Sequence, residues 1–303
     1  MSEQSRDMRS RPWHQVVTGT KAVLEEVNRS AGTRWQLDAR FCGAMGDAWR
    51  VRADNSVAVL KWHEPASGSP HNPDAPRVVE FLRKAGYPPP AWLASGTTED
   101  GVFWSVQELV DGEPLKELNN WSAELFIVLI DLQRRLQLPT RYSWDQYSRD
   151  LVFGRHPLHQ PLAHAGPNVR ELLAAALETA APHTTAGLAD DEMVHSDLNV
   201  SNLLVRQGQL VGVIDIDAAG RGSAAYDLMS PVINGVYWGS DPIAIERLVS
   251  YGLDVYGSGP LAVATAGVLI EVTNWYLGCS PAHIEQRAER LLRWLSDVAV
   301  RLA

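Results

Sequence analysis

Cysteine is almost absent from this chain, with only Cys42 and Cys279 among 303 residues. The two lie far apart and lack C-x-x-C spacing, which excludes a disulfide framework and a cysteine zinc site and suits a reducing compartment. Long apolar runs are missing as well. The longest, LAVATAGVLI at 261–270, is too short to span a bilayer. The opening MSEQSRDMRSRPWHQ has no apolar core of the signal-peptide kind. A cytoplasmic protein without a membrane partner is therefore expected. Basic residues are scarce in the later part of the chain, where residues 187–280 hold 11 acidic side chains against 3 basic ones. That excludes the basic face a nucleic-acid partner requires and permits a cationic small molecule. Solvated surface acidity is the competing explanation.

What remains is ordinary for a globular chain: 45% hydrophobic and 21% charged residues, with a formal charge of −9. The excess acid lies beyond residue 108, since residues 1–108 carry 13 acids and 13 bases. At this length two lobes are the default. The alternation in 34–42, 47–53 and 56–62 predicts three antiparallel strands after an N-terminal helix over 11–30. CGAMG joins the first two strands, with Gly43 and Gly46 permitting a sharp bend or close approach to a ligand. A helix over 74–87 follows, then strands at AWLASG and VFWSVQELV around an Asp-Gly turn. Beyond VDGEPL the pattern turns helical, beginning with WSAELFIVLIDLQRRLQL at 121–138. Two short strands flank Gln207-Gly208. The last helix is expected to use Ser280 and Pro281 as cap and first turn, with Ile284, Ala288, Leu291, Leu295 and Val298 on one face. The division is thus 1–108 and 109–303, joined by a hinge with no flexible tether.

Polar residues interrupt the apolar run VHSDLNVSNLLV at 194–205. His195, Asp197 and Asn202 either cap and cross-link a loop or handle a charged ligand. Thirteen residues beyond Asn202, Asp215 follows the apolar LVGVI at a strand end. One carboxylate to deprotonate a hydroxyl, with an amide oxygen and a second carboxylate to hold Mg²⁺, suits phosphoryl transfer.

VHSDLNVSNLLV together with VIDIDAAGRGSAAYDL resembles the aminoglycoside phosphotransferase and choline kinase superfamily, small-molecule relatives of protein kinases. The resemblance runs from Gly43 to Leu228. It implies an α+β, protein-kinase-like bilobal fold, with a five-stranded antiparallel sheet and one helix in the first lobe and a mainly helical second lobe. It implies Asp197 as catalytic base, Asn202 and Asp215 as Mg²⁺ ligands, His195 as a loop brace and Asp227 as its support from below. Lys61 falls where the family places the lysine that contacts the nucleotide phosphates, and Glu80 in the next helix is its expected ion-pair partner. Gly43 and Gly46 would lie over the phosphates, although CGAMGDAW is neither GxGxxG nor a Walker loop. Glu108 and Val110 would meet the adenine with their backbone, above Leu204 and Ile214. ATP is the expected nucleotide, with GTP also open because selectivity there rests on backbone geometry.

The implied activity is transfer of a γ-phosphoryl group to a small-molecule hydroxyl. The acidic second lobe points to a cationic, aminoglycoside-like antibiotic as acceptor, with Asp217, Asp241, Asp254 and Glu271 as candidate contacts. Trp238, Trp275 and Tyr276 are candidates for stacking or cation–π contact. The alternatives are a metabolite kinase of the choline, homoserine or sugar type, a protein kinase, and a nucleotide-binding regulator without catalysis. LNVSN after the base, where serine/threonine kinases commonly have a lysine, and the lack of an APE-like motif weigh against a protein kinase.

Overall fold

The computed structural model describes residues 13–41, 48–63, 72–154, 156–184 and 188–303, with side chains from residue 19 onward. Gly43 and Gly46 lie outside the described residues. The chain opens with a helix α1 (Trp13–Ala31) and strands β1 (Gln36–Arg40), β2 (Ala48–Ala53) and β3 (Ser56–His63). Helix α2 (Ala75–Lys84) precedes β4 (Trp92–Thr97) and β5 (Phe103–Glu108). The five strands form one antiparallel sheet in the order β1-β2-β3-β5-β4, as the alternation predicts.

Alternation along β3 explains where its lysine goes. Ala58, Leu60 and Trp62 join a core with Val23, Leu24 and Val27 of α1 and with Trp49, Val51, Trp104 and Val106 of neighbouring strands. The indole of Trp62 donates to Thr20 Oγ1 at 3.3 Å, which fastens α1 to that face. Lys61 and His63 must then point to the opposite face, because successive strand side chains alternate.

After a short β6 (Glu113–Pro114), helix α3 (Asn120–Gln133) starts at Asn119, whose side chain accepts from Ser122 N while Ser122 Oγ accepts from Asn119 N. Helices α4 (Asp145–Phe153), α5 (His159–Ala163) and α6 (Pro167–Ala180) follow. Short strands β7 (Glu192–Val194), β8 (Leu203–Arg206), β9 (Gln209–Val213) and β10 (Gly220–Gly222) carry the polar loops. Gln207 and Gly208, both with positive φ, close the β8–β9 hairpin. Helices α7 (Ala225–Trp238), α8 (Pro242–Tyr256), α9 (Ser258–Cys279) and α10 (Ile284–Leu302) complete the chain.

Helix α9 is long and apolar enough to cross a membrane by length and composition, but Leu261–Ile270 are buried in the chain's own core. A helix apolar on all sides is what a central core position calls for. Two expectations shift here. Helix α2 places Val78, Val79 and Leu82 in the helical core, not in that of the sheet. Ser280 makes no side-chain cap; Pro281–His283 form a 3₁₀ turn, and α10 begins at Ile284 with its apolar face buried as read.

Candidate functional site

The loop between β7 and β8 is held from beneath. Asp227, fully buried in the first turn of α7, accepts from the backbone N–H of His195 and from Ser196 N at 2.8 Å, and Gln133 Nε2 donates to it at 2.9 Å. Ser196 has φ +78 and Asp215 φ +64. Left-handed backbone costs a side chain about 1–3 kcal/mol and persists only where surrounding contacts fix it. The His195 imidazole donates from Nε2 to the Ile214 carbonyl at 2.9 Å, and its Nδ1 accepts from Asp197 N at 3.3 Å. One neutral tautomer satisfies both contacts. Burial pushes His195 down to about 4, which keeps it in that form. It therefore braces the loop against the strand that leads to Asp215.

These braces bring the predicted polar residues together. Asn202 Nδ2 donates to Asp197 Oδ2 at 2.9 Å and to the Asp197 carbonyl at 2.7 Å, which leaves the Asn202 amide oxygen as the part that can meet a cation. Asn199 Nδ2 donates to the other carboxylate oxygen, Oδ1, at 2.7 Å. The Asp197 carboxylate opens toward the cleft, yet protein on its remaining sides displaces water. This desolvation, with the Asp215 charge beside it, pushes Asp197 up to about 7. Lys61 Nζ donates to the Asp215 carboxylate. Burial would lower the Lys61 ammonium, but Asp215, Asp217 and Asp197 outweigh it and hold its pKa above the ordinary value.

Glu80 is not the partner of Lys61. It lies on the outer side of α2, where Lys84 donates to it at 2.6 Å one turn on. The reason is the helix's orientation: Ala75, Val78, Val79 and Leu82 take the inward positions. Asp217 is buried against the sheet, where His63 Nε2 donates to it at 3.2 Å and Gln107 Nε2 at 3.3 Å. At the end of β5, the Glu108 carboxylate accepts from Ala91 N at 3.1 Å and from Arg83 at 3.2 Å. Val110 packs on Gly212, beside Leu204. A Cβ on Gly212 would stand 3.1 Å from a Val110 methyl and 3.6 Å from a Leu204 methyl. Ile214 is half-buried, and its N–H donates to the Asn202 carbonyl at 2.9 Å.

Glu271, from the middle of α9, feels the charge of Asp197. Tyr147 and Tyr226 both donate their hydroxyls to it. Burial, together with the charge of Asp197, pushes its carboxyl up to about 7. Tyr276 is raised by burial and also senses Asp197. Its ring stacks on Tyr237 at 3.9 Å, and Trp238 donates to its hydroxyl at 2.8 Å. Trp238 is exposed, and the Arg287 guanidinium stands 4.1 Å over its ring and 4.7 Å over that of Tyr237. Trp275 is half-buried on α9, with its carbonyl accepting from Cys279 Sγ at 3.1 Å. Asp241 caps α8, accepting from Ile243 N at 2.9 Å, and Asp254 is exposed near the end of that helix.

Lys61, Asp197, Asn202 and Asp215 fall within the stretch, residues 43–264, that matches the phosphotransferase enzyme family. The chain belongs to this family. It is a small-molecule kinase of the aminoglycoside phosphotransferase and choline kinase superfamily, which transfers phosphate to a hydroxyl. Among curated proteins none matches the chain.

Solved structures place this phosphotransferase in a protein-kinase-like fold. Aminoglycoside phosphotransferase APH(4)-Ia, in a ternary complex with AMP-PNP and hygromycin B, matches with TM-score 0.65 at 15% identity over 90% of this chain and 97% of that chain. A microcompartment-associated aminopropanol kinase matches with TM-score 0.65 at 18% identity over 89% and 95%. Choline kinase LicA from Streptococcus pneumoniae matches with TM-score 0.64 at 13% identity over 92% and 99%.

Several polar residues of this phosphotransferase's site carry no motif of their own. Asn199 was visible as the second asparagine of HSDLNVSN, but its contact with Asp197 depends on the turn. Tyr147 and Tyr226 lie 124 and 45 residues from Glu271, and His63 and Gln107 lie 154 and 110 from Asp217. Only the fold brings them together.

Proposed function

We propose that the protein is an ATP-dependent O-phosphotransferase whose acceptor is a small molecule carrying both a hydroxyl and an ammonium group. The observation that carries this reading is the convergence of Lys61, Asp197, Asn202 and Asp215 on one cleft, with Glu271 beside Asp197. Asp197 orients the acceptor hydroxyl and takes its proton. Lys61 meets the nucleotide phosphates, and the nucleotide base lies against the backbone of Glu108 and Val110, above Leu204 and Ile214. Residues 1–108 hold the nucleotide, and residues 109–303 hold the catalytic loop and the acceptor.

Asn202 and Asp215 offer the oxygen donors that Mg²⁺ prefers, and Mg²⁺ needs only one or two protein ligands when phosphates supply others. When bound, the ion would neutralise charge on the phosphates. His195 and Asp227 keep the loop in its left-handed turn, so that Asp197 faces the cleft without searching for its position.

For the acceptor, Glu271 supports a cation. Its hydrogen-bond donors among the described residues are two neutral hydroxyls, and the charge that acts on it is that of another carboxylate, Asp197. An ammonium seated there would relieve the repulsion between Glu271 and Asp197 and gain charge-assisted hydrogen bonds. Hygromycin B in APH(4)-Ia, and the choline and aminopropanol kinases, fit the same chemistry. An aminoglycoside-like antibiotic and an amino alcohol are thus the two acceptors to separate. The test is substrate-stimulated ADP release by the purified protein across aminoglycosides, other antibiotics, amino alcohols and uncharged sugars. Stimulation confined to amine-bearing alcohols supports the reading; a best substrate without positive charge removes it.

A further inference from the structure

Nothing on α2 supplies a carboxylate to Lys61. Its inward residues are Ala75, Val78, Val79 and Leu82, and Glu80 is bound to Lys84 on the outside. Another carboxylate, Asp217, is held against the face of the sheet that carries Lys61. Lys61 pairs across the sheet with Ser105, and Val59 pairs with Gln107. Directly opposed residues of an antiparallel pair share a face, as do residues two apart on one strand. Lys61, His63, Ser105 and Gln107 therefore line the same face of the sheet. His63 and Gln107 both donate to Asp217, and Ser105 Oγ accepts from Gln107 Nε2 at 2.9 Å. The two residues that grip Asp217 thus flank Lys61 in the register. The loop behind Asp217 is fixed too: its carbonyl accepts from Asn72 N at 3.1 Å, and Asn72 Nδ2 donates to the Ala219 carbonyl at 2.6 Å.

We propose that Asp217 is the residue that positions Lys61 for the nucleotide phosphates, in place of a helix carboxylate. The proposal rests on the reading of Lys61 as a phosphate contact. Asp215, the present partner of Lys61, is also the carboxylate assigned to the cation, so its contact with Lys61 depends on what else it binds. Asp217 is tied to the sheet through His63 and Gln107 and keeps its place whichever partner Asp215 takes.

The test is a double-mutant cycle read by calorimetry of ADP binding without divalent metal, with melting temperature measured alongside. Lys61→Met and Asp217→Asn should each weaken ADP on the order of tenfold, and the double variant should be no weaker than Lys61→Met alone, because Asp217 acts through the lysine. Effects that multiply, or an Asp217→Asn variant that binds ADP like the parent, overturn the proposal. If Lys61→Met leaves ADP affinity unchanged, the nucleotide reading of Lys61 fails, which is a different result. Glu80→Gln supplies an arm independent of how the Asp217 variant folds. Parent-like ADP affinity there supports the proposal, and a tenfold loss overturns it.

Discussion

At the scale of single residues, the chemistry of this cleft turns on carboxylates placed where water cannot fully solvate them. Glu271 is the clearest case, since its carboxyl is pushed up to about 7 by burial and by Asp197. Only the ionised form attracts an ammonium, and that form gives way as pH falls through about 7. The acceptor KM should therefore rise between about pH 8 and pH 6, while the nucleotide KM changes less. Glu271→Gln should raise the acceptor KM on the order of tenfold and flatten this pH dependence, because a charge-assisted contact becomes a neutral one. Steady-state kinetics of the variant, with each substrate varied in turn, check both points. A Glu271→Gln enzyme whose acceptor KM matches the parent would leave Glu271 as a support for Tyr147 and Tyr226 only.

Elements explain which candidates the fold brings together and which it leaves apart. Asp241 looked like a free acid in the sequence, but it stands one residue before Pro242, and its carboxylate caps α8. Asp241→Ala should lower stability by about 1 kcal/mol, seen as a drop in melting temperature, with kinetics toward both substrates preserved. A rise in acceptor KM in that variant would restore Asp241 to the site. The five strands, the β8–β9 hairpin and the long helices were legible because alternation, an exposed Gln-Gly turn and helical spacing are local signals. So were Asp197, Asn202 and Asp215, whose spacing on one loop and one strand end survives as a pattern. Glu80 misled because spacing places a residue on a helix without saying which way the helix faces. Here Val78, Val79 and Leu82 turned that helix toward the helical core and left Glu80 outside. The contact of Trp238 with Arg287, which lies 49 residues on, carried no signal in the sequence.

Across the whole molecule, the cleft should set the pH dependence of stability. Asp197, Asp227 and Glu271 are all raised to about 7, each chiefly by burial. The folded chain then binds more protons than the unfolded one near neutrality. Their stabilising contribution is complete below the ordinary carboxylate range and is lost as pH rises through about 7. His195 acts in the opposite sense, since its depressed value of about 4 favours the fold above its ordinary 6.5 and loses that contribution only as pH falls through about 4. Above about pH 6.5 the carboxylates decide the slope, with the share of Asp197 reduced by its contact with solvent. The melting temperature should fall from about pH 6.5 to pH 8. A melting temperature that climbs over that interval would mean the three carboxylates are not strained in the fold.

The central claim is that Asp197 takes the acceptor proton in a site that Lys61, Asn202 and Asp215 complete. Asp197→Asn keeps the shape of the side chain and removes a charge that faces Asp215, and its amide keeps only one of the two oxygens that accept from Asn199 and Asn202. The direct measurement is a single-turnover comparison of parent and Asp197→Asn with ATP and the acceptor found by the ADP-release screen. Phosphoryl transfer should slow by orders of magnitude in the variant while ATP affinity stays near that of the parent. Transfer at close to the parent rate would contradict the account.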